Sequence, residues 1–170
     1  MKKMFFVLGL MFFALTGYSQ EIFDAARQND VDAIEAYLVE GGDLDVVNEK
    51  GFTPLILAVY NNSKEAVAMM LKKGANPNIQ DKSGNTALMG ATFKGYLDVA
   101  VLLLENKANV NAVNYNGASA LVFAATFGQK KIAEKLLLKG ADKSLKDKSG
   151  KTALDHAIFQ ENEEMIKLLK

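Results

Sequence analysis

Gly51-Phe52-Thr53-Pro54-Leu55 is the stretch on which the reading of the fold turns. Working outward, its glycine recurs at Gly84, Gly117 and Gly150, each 33 residues after the last. Thr53, Thr86, Ser119 and Thr152 keep the same step, as do Leu55, Leu88, Leu121 and Leu154. Ala25, Ala58, Ala91, Ala124 and Ala157 extend the series toward the start of the chain. No insertion interrupts the period from residue 25 to the end, so the chain is a repeat array rather than a single irregular core.

Within one period, residues 84–116, the local signals predict two helices. Asp81-Lys82-Ser83-Gly84 is turn chemistry. Thr86 is placed to cap a short helix from about Ala87 to Lys94, with Leu88 and Ala91 on one face. Gly95 breaks it, and residues 97–106 read as a second helix with Val99, Leu102 and Leu103 at i, i+3, i+4 spacing. Ala108-Asn109-Val110-Asn111 leads through a polar loop to the next turn. One such unit cannot bury its own apolar face, whereas a stack of them can.

These residues resemble the ankyrin repeat. Its Gly-x-Thr-Pro-Leu stretch is complete at residues 51–55, and Gly84-Asn85-Thr86-Ala87-Leu88 and Gly150-Lys151-Thr152-Ala153-Leu154 carry alanine for proline. Gly117-Ala118-Ser119-Ala120-Leu121 is a looser copy. The second-helix run with its Gly-Ala-Asx exit stands at residues 69–76 and again at residues 136–142. The resemblance covers about residues 21–170 and implies an all-α solenoid of about five stacked helix-turn-helix units with projecting turns. The units fall at about 20–50, 51–83, 84–116, 117–149 and 150–170, the outer two as shortened caps. At least three units are needed for a stable stack, a condition this chain meets.

Asn29, Asn62, Gly95 and Gly128 stand between the paired helices at the same 33-residue step. Glycine and asparagine tolerate positive φ, so this turn is expected to need a left-handed residue. Glu161 holds the place in the last unit with Asn162 beside it, which suggests a shifted turn there. After the second helix the matching residues are Gly41, Gly74 and Gly140, with Lys107 in the third unit. Lys107 is therefore expected to sit left-handed at a cost of about 1 kcal/mol.

Ankyrin repeats commonly carry a histidine after the leucine of the turn stretch, where it ties neighbouring turns together. Ile56, Met89, Val122 and Asp155 occupy those positions here. The resemblance therefore implies a stack that leans on apolar packing between helices.

Hydrophobic residues make up 49% and charged residues 24% of the 170, a balance that indicates a folded chain. The formal net charge is zero and falls to about −2 without residues 1–19, which argues against nucleic acid as a partner. There are no cysteines, which excludes disulfides, thiolate metal sites and a thiol nucleophile, and suits passage through an oxidising compartment.

The start of the chain reads as an address. Met1-Lys2-Lys3 is a short basic segment, residues 4–15 (MFFVLGLMFFAL) are uncharged and apolar, and Gly17 and Ser19 have the small-residue spacing of a cleavage site. A signal peptide over residues 1–19, cut between Ser19 and Gln20, is expected. The apolar run is shorter than the roughly 20 residues a spanning helix needs. The basic start and short core look bacterial, which implies a periplasmic or secreted protein without stable membrane insertion after cleavage.

No constellation of residues points to catalysis. His156 is the only histidine and has no nucleophile or ligand cluster in sequence; a surface or partly packed side chain is expected. Asp43-Leu44-Asp45 lacks the glycine and closing glutamate of a calcium loop, and Gly41-Gly42 lacks the phosphate-cradling pattern. Neither a metal nor a cofactor is expected.

The turn tips and the outer ends of the first helices vary while the frame stays fixed. The family resemblance implies that these positions form a concave binding surface. Phe52, Tyr60, Asn61, Lys82, Asn85, Phe93, Lys94, Tyr115, Phe127 and Phe159 are the candidate partner-binding residues. Tyr60, Phe93 and Phe159 share one repeat position, with Thr126 and its neighbour Phe127 in the remaining unit, and would align as an aromatic row. Such rings are natural anchors, unless they lie back on the next repeat as core. The expected function is a monomeric, non-catalytic protein-interaction module binding a protein partner. A self-associating scaffold and an accessory or protective factor for an exported enzyme are the alternatives.

Overall fold

The structure is a computed structural model that describes residues 20–170; the expected signal peptide lies outside the described residues. Thr53, Thr86, Ser119 and Thr152 each accept a hydrogen bond from the backbone N–H three residues on, which satisfies a donor that every helix start leaves orphaned. Pro54 fits the first helical position, where no N–H is needed. At Thr152 the cap is reciprocal, since Asp155 accepts from the Thr152 backbone N–H at 2.8 Å.

Ten helices follow among the described residues. They are α1 (20–28), α2 (Val31–Val39), α3 (Pro54–Tyr60), α4 (Lys64–Lys72), α5 (Ala87–Lys94), α6 (Leu97–Glu105), α7 (Ala120–Thr126), α8 (Lys130–Leu138), α9 (Ala153–Phe159) and α10 (Glu163–Leu169). The first helices α3, α5, α7 and α9 pack in sequence order, and so do the second helices α2, α4, α6, α8 and α10. The result is a two-layer all-helical stack with a turn projecting ahead of each first helix.

Ala58, Ala91, Ala124 and Ala157 are fully buried, and their small side chains let successive first helices approach closely. Leu55, Leu88 and Leu121 fill the next layer, and Met70, Leu103 and Leu136 run beneath them along the second helices. Ile56, Met89 and Val122, where the resemblance implies histidine, are buried apolar contacts. The buried polar groups are matched: Thr92 Oγ1 donates to the Leu88 carbonyl at 2.8 Å, and Ser63 Oγ to the Arg27 carbonyl at 3.1 Å. Among the described residues no buried side-chain polar atom lacks a partner.

The left-handed positions keep strict register. Asn29, Asn62, Gly95 and Gly128 all have positive φ, and Glu161 joins them at φ 54°. The turn of the last unit is therefore not shifted; Asn162 is instead the N-cap of α10, its side chain accepting from Met165 N. Lys107 has φ 67°, in register with Gly41, Gly74 and Gly140.

One asparagine and aspartate ladder crosses between the repeats. In the exit loops, Asp45 Oδ1 accepts from Asn76 N, Asn78 Oδ1 from Asn109 N, and Asn111 Oδ1 from Asp142 N, at 2.9, 2.6 and 2.8 Å. Each of these bonds crosses from one repeat to the next.

Candidate functional site

Each projecting turn is organised by one residue three places ahead of its glycine. Asn48, Asp81, Asn114 and Asp147 each use Oδ1 to accept two backbone N–H groups of their own turn, at 2.8–3.1 Å. Neighbouring turns are then stitched backbone to backbone. Lys82 N donates to Lys50 O at 3.2 Å, Tyr115 N to Ser83 O at 3.1 Å, and Lys148 N to Asn116 O at 2.9 Å. Gly84 shows why a glycine stands there: a Cβ at this φ of +79° would lie 2.6 Å from Tyr115 N. The tips therefore form a fixed strip, not independent loops.

The candidate residues fall along this strip and the adjoining helix ends. Lys82, Asn61 and Lys94 are exposed, and Asn61 Nδ2 folds back to donate to the Leu57 carbonyl. Asn85 is half-buried and accepts from Asn114 Nδ2 at 2.9 Å, so it ties two turns together. Phe93, Phe127, Tyr115 and Phe159 are 43%, 46%, 60% and 73% exposed, unusual values for rings of this size.

The aromatic row does not form as one line. Tyr60 is half-buried, packs on Phe52 with ring centroids 5.7 Å apart, and closes over Gly90 of the next first helix. Burial pushes its hydroxyl above the usual tyrosine range, and the charge of Asp81 adds to that. Phe93 meets Phe127 edge-on at 4.9 Å, and Phe127 in turn stacks on Phe123 at 6.1 Å. Phe159 instead lies beneath Lys151, whose Nζ is 4.9 Å from the ring centroid. Among the described residues no ring contact joins Tyr60 to Phe93 or Phe127 to Phe159. Thr126, in register with Phe93, donates its hydroxyl to the Val122 carbonyl, and it is Phe127 that lies beside Phe93.

Two features of this face were not singled out from the sequence: Phe123 joins the aromatic groups, and the Asx row at 48, 81, 114 and 147 builds the tips. Lys151, a tip position by register, also covers a ring. The Asx row was visible as a 33-residue period; the ring partners were not, because they depend on rotamers across repeats. His156 is partly packed as expected, but it also has a specific partner: its Nε2 lies 2.7 Å from Asp147 Oδ2. That contact, with the Lys151 backbone N–H second, holds the Asp147 carboxyl below the usual carboxylate range.

Among the described residues no group of three or more histidine, aspartate or glutamate side chains gathers in a way that could hold a metal ion. What the strip and the adjoining helix ends offer is a rigid row of backbone-tied turns with exposed rings and lysines, which suits recognition of a surface or an extended segment.

Among curated proteins the chain has no match. The family model described as ankyrin repeats (3 copies) matches residues 22–114 and 111–170, nearly all of the described residues. The match, the strict 33-residue register and the stacked helix pairs agree: the chain belongs to the ankyrin-repeat family.

Proposed function

We infer that this protein is an exported, non-catalytic interaction module that docks a protein partner on its turn tips and first-helix ends. Ankyrin repeats generally mediate protein–protein interaction, and the family is typically non-catalytic. The observation that carries the assignment to this face is the exposure of Tyr115 on the backbone-tied turns and of Phe93, Phe127 and Phe159 at the ends of the first helices. Export rests on the basic start, the twelve-residue apolar run and the small residues before Gln20, with no cysteine to lose to oxidation. Among the described residues, no helix is long and apolar enough to cross a membrane. On the export reading, the mature domain spans residues 20–170 and resides in the periplasm or outside the cell.

The test is affinity capture from the cell envelope with the wild-type protein and a Phe93→Ala/Phe127→Ala variant, after circular dichroism shows equal folding. A partner retained by wild type and lost by the variant supports docking here; equal retention assigns it elsewhere. The intact mass of the exported protein checks cleavage, and a mass that includes residues 1–19 rules out the leader.

One observation favours self-association as a second reading. Ile158 is 51% exposed on α9, whereas Val59, Thr92 and Ala125, its counterparts in the earlier repeats, are fully buried. Light scattering after size exclusion decides it: a dimer that Ile158→Lys dissolves would establish stacking between copies.

A further inference from the structure

We propose that the partner presents an acidic polypeptide segment that also carries aromatic or aliphatic side chains. The proposal rests on the docking reading above and names the chemistry of what docks.

The lysines of the two faces stand in different charge surroundings. On the second helices, Lys64, Lys73 and Lys130 pair across repeats with Asp98, Glu35 and Glu164. Among the described residues Lys72, Lys131, Lys135 and Lys167 on the same helices make no ion pair. Asp32, Glu65, Glu105, Glu134 and Glu163 stand on that layer too, so it presents no excess of ammonium groups. On the turns and first helices, Lys50, Lys82, Lys94, Lys148 and Lys151 are all exposed, and among the described residues none of them lies within ion-pair distance of a carboxylate.

The acids of the same face are already engaged. Asp81 is buried and holds the N–H groups of Ser83 and Asn85. Asp147 holds those of Ser149 and Lys151 together with His156, and Asp155 caps Thr152. Glu49, beside Lys50, is the exposed carboxylate left on the tips. A chain of zero formal net charge therefore presents a face with an excess of unpaired ammonium groups.

Those ammonium groups are interleaved with rings. Lys94 follows Phe93, Lys151 covers Phe159, and the turn bearing Tyr115 is bonded to the turn bearing Lys82. A partner that buries the rings also removes water from the neighbouring lysines, and an unpaired buried charge is strongly unfavourable. Carboxylates placed between apolar anchors meet both demands at once. Nucleic acid fits less well. It carries a charge every ~1.7 Å of duplex and calls for clustered basic groups, whereas this face spreads its lysines over successive repeats and has no arginine at the tips.

The test is selection of a random twelve-residue phage-displayed library on residues 20–170, followed by fluorescence anisotropy of the best peptide as a synthetic probe. The expected outcome is enrichment of clones with net negative charge and at least one aromatic or leucine. The probe should bind about tenfold more weakly to Lys82→Glu/Lys94→Glu/Lys148→Glu and weaken as salt rises. Enriched clones that are neutral or basic yet depend on Phe93 and Phe127 would overturn the acidic chemistry and leave the docking reading standing. No enrichment, or clones indifferent to those two rings, would remove both. Tighter binding of a single-stranded twelve-thymidine oligonucleotide than of any selected peptide would assign the face to nucleic acid and overturn the proposal.

Discussion

Asp147 Oδ2 and His156 Nε2 approach to 2.7 Å, joining the last projecting turn to the helix that follows it. The same carboxylate uses Oδ1 to hold the N–H groups of Ser149 and Lys151, so one side chain both shapes the turn and anchors it. In the earlier repeats a following turn does the anchoring, through backbone bonds such as Tyr115 N to Ser83 O.

The pH dependence follows from the Asp147 carboxyl. Its pKa in the folded chain lies below the ordinary value of 3.8, first because of His156. A depressed carboxylate contributes stability that is present above its unfolded pKa and lost as pH falls through the folded one. Asp147→Asn is expected to lower stability at pH 6–7 by about 0.5–1 kcal/mol, because asparagine keeps the turn bonds and forfeits only the charge toward His156. Urea unfolding of both proteins should show the difference shrinking once the pH drops below about 3.9.

Lys107 occupies a left-handed position that its repeat partners fill with Gly41, Gly74 and Gly140. Lys107→Gly should add about 1 kcal/mol of stability and raise Tm by about 2–4 °C. Gly140→Lys should do the reverse, since nothing lies within 4 Å of a Cβ there and only backbone strain is added. A Tm that falls in Lys107→Gly contradicts the strain.

Gly84 and Gly150 share a positive φ but differ in surroundings. A Cβ at Gly84 would meet Tyr115 N at 2.6 Å, while one at Gly150 meets nothing within 4 Å. Gly150→Ala should cost about 1 kcal/mol, from the backbone alone. Gly84→Ala should cost at least about 2 kcal/mol more, because two stitched turns must separate. Equal losses in thermal unfolding would mean the turns are not in contact.

Tyr60 and Phe159 hold the same place in the repeat and should behave oppositely. Tyr60, half-buried against Phe52 and Gly90, is structural: Tyr60→Ala should destabilise by about 2–3 kcal/mol. Phe159, 73% exposed, should cost under about 1 kcal/mol on truncation. Absorbance near 295 nm gives a second check. The Tyr60 hydroxyl should ionise above the usual tyrosine range, and its contribution, complete below pH 10, should fade as pH rises through that higher value.

The repeat frame was legible in the chain because period carries it. Capping threonines, buried alanines and left-handed asparagines recur at one step, and each obeys a local rule that needs no knowledge of distant contacts. Even Lys107 could be placed by register, and the structure puts it at φ 67°. The expectation at Glu161 erred by trusting residue preference over register. Asparagine is the better left-handed residue, but the pairing of α9 with α10 holds the turn one place earlier, and Asn162 caps α10 instead.

Residue type and spacing alone thus determined the helices, their caps, their strained turns and the stacking order. Only the tertiary structure decided which rings meet and which charges remain free. Tyr60, Phe93 and Phe159 are equivalent in register, yet one leans on a glycine of the next helix, one on Phe127 and one under a lysine. Rotamers answer to the neighbouring repeat, whose variable residues lie a full period away, so no local rule sorts core from surface at these positions.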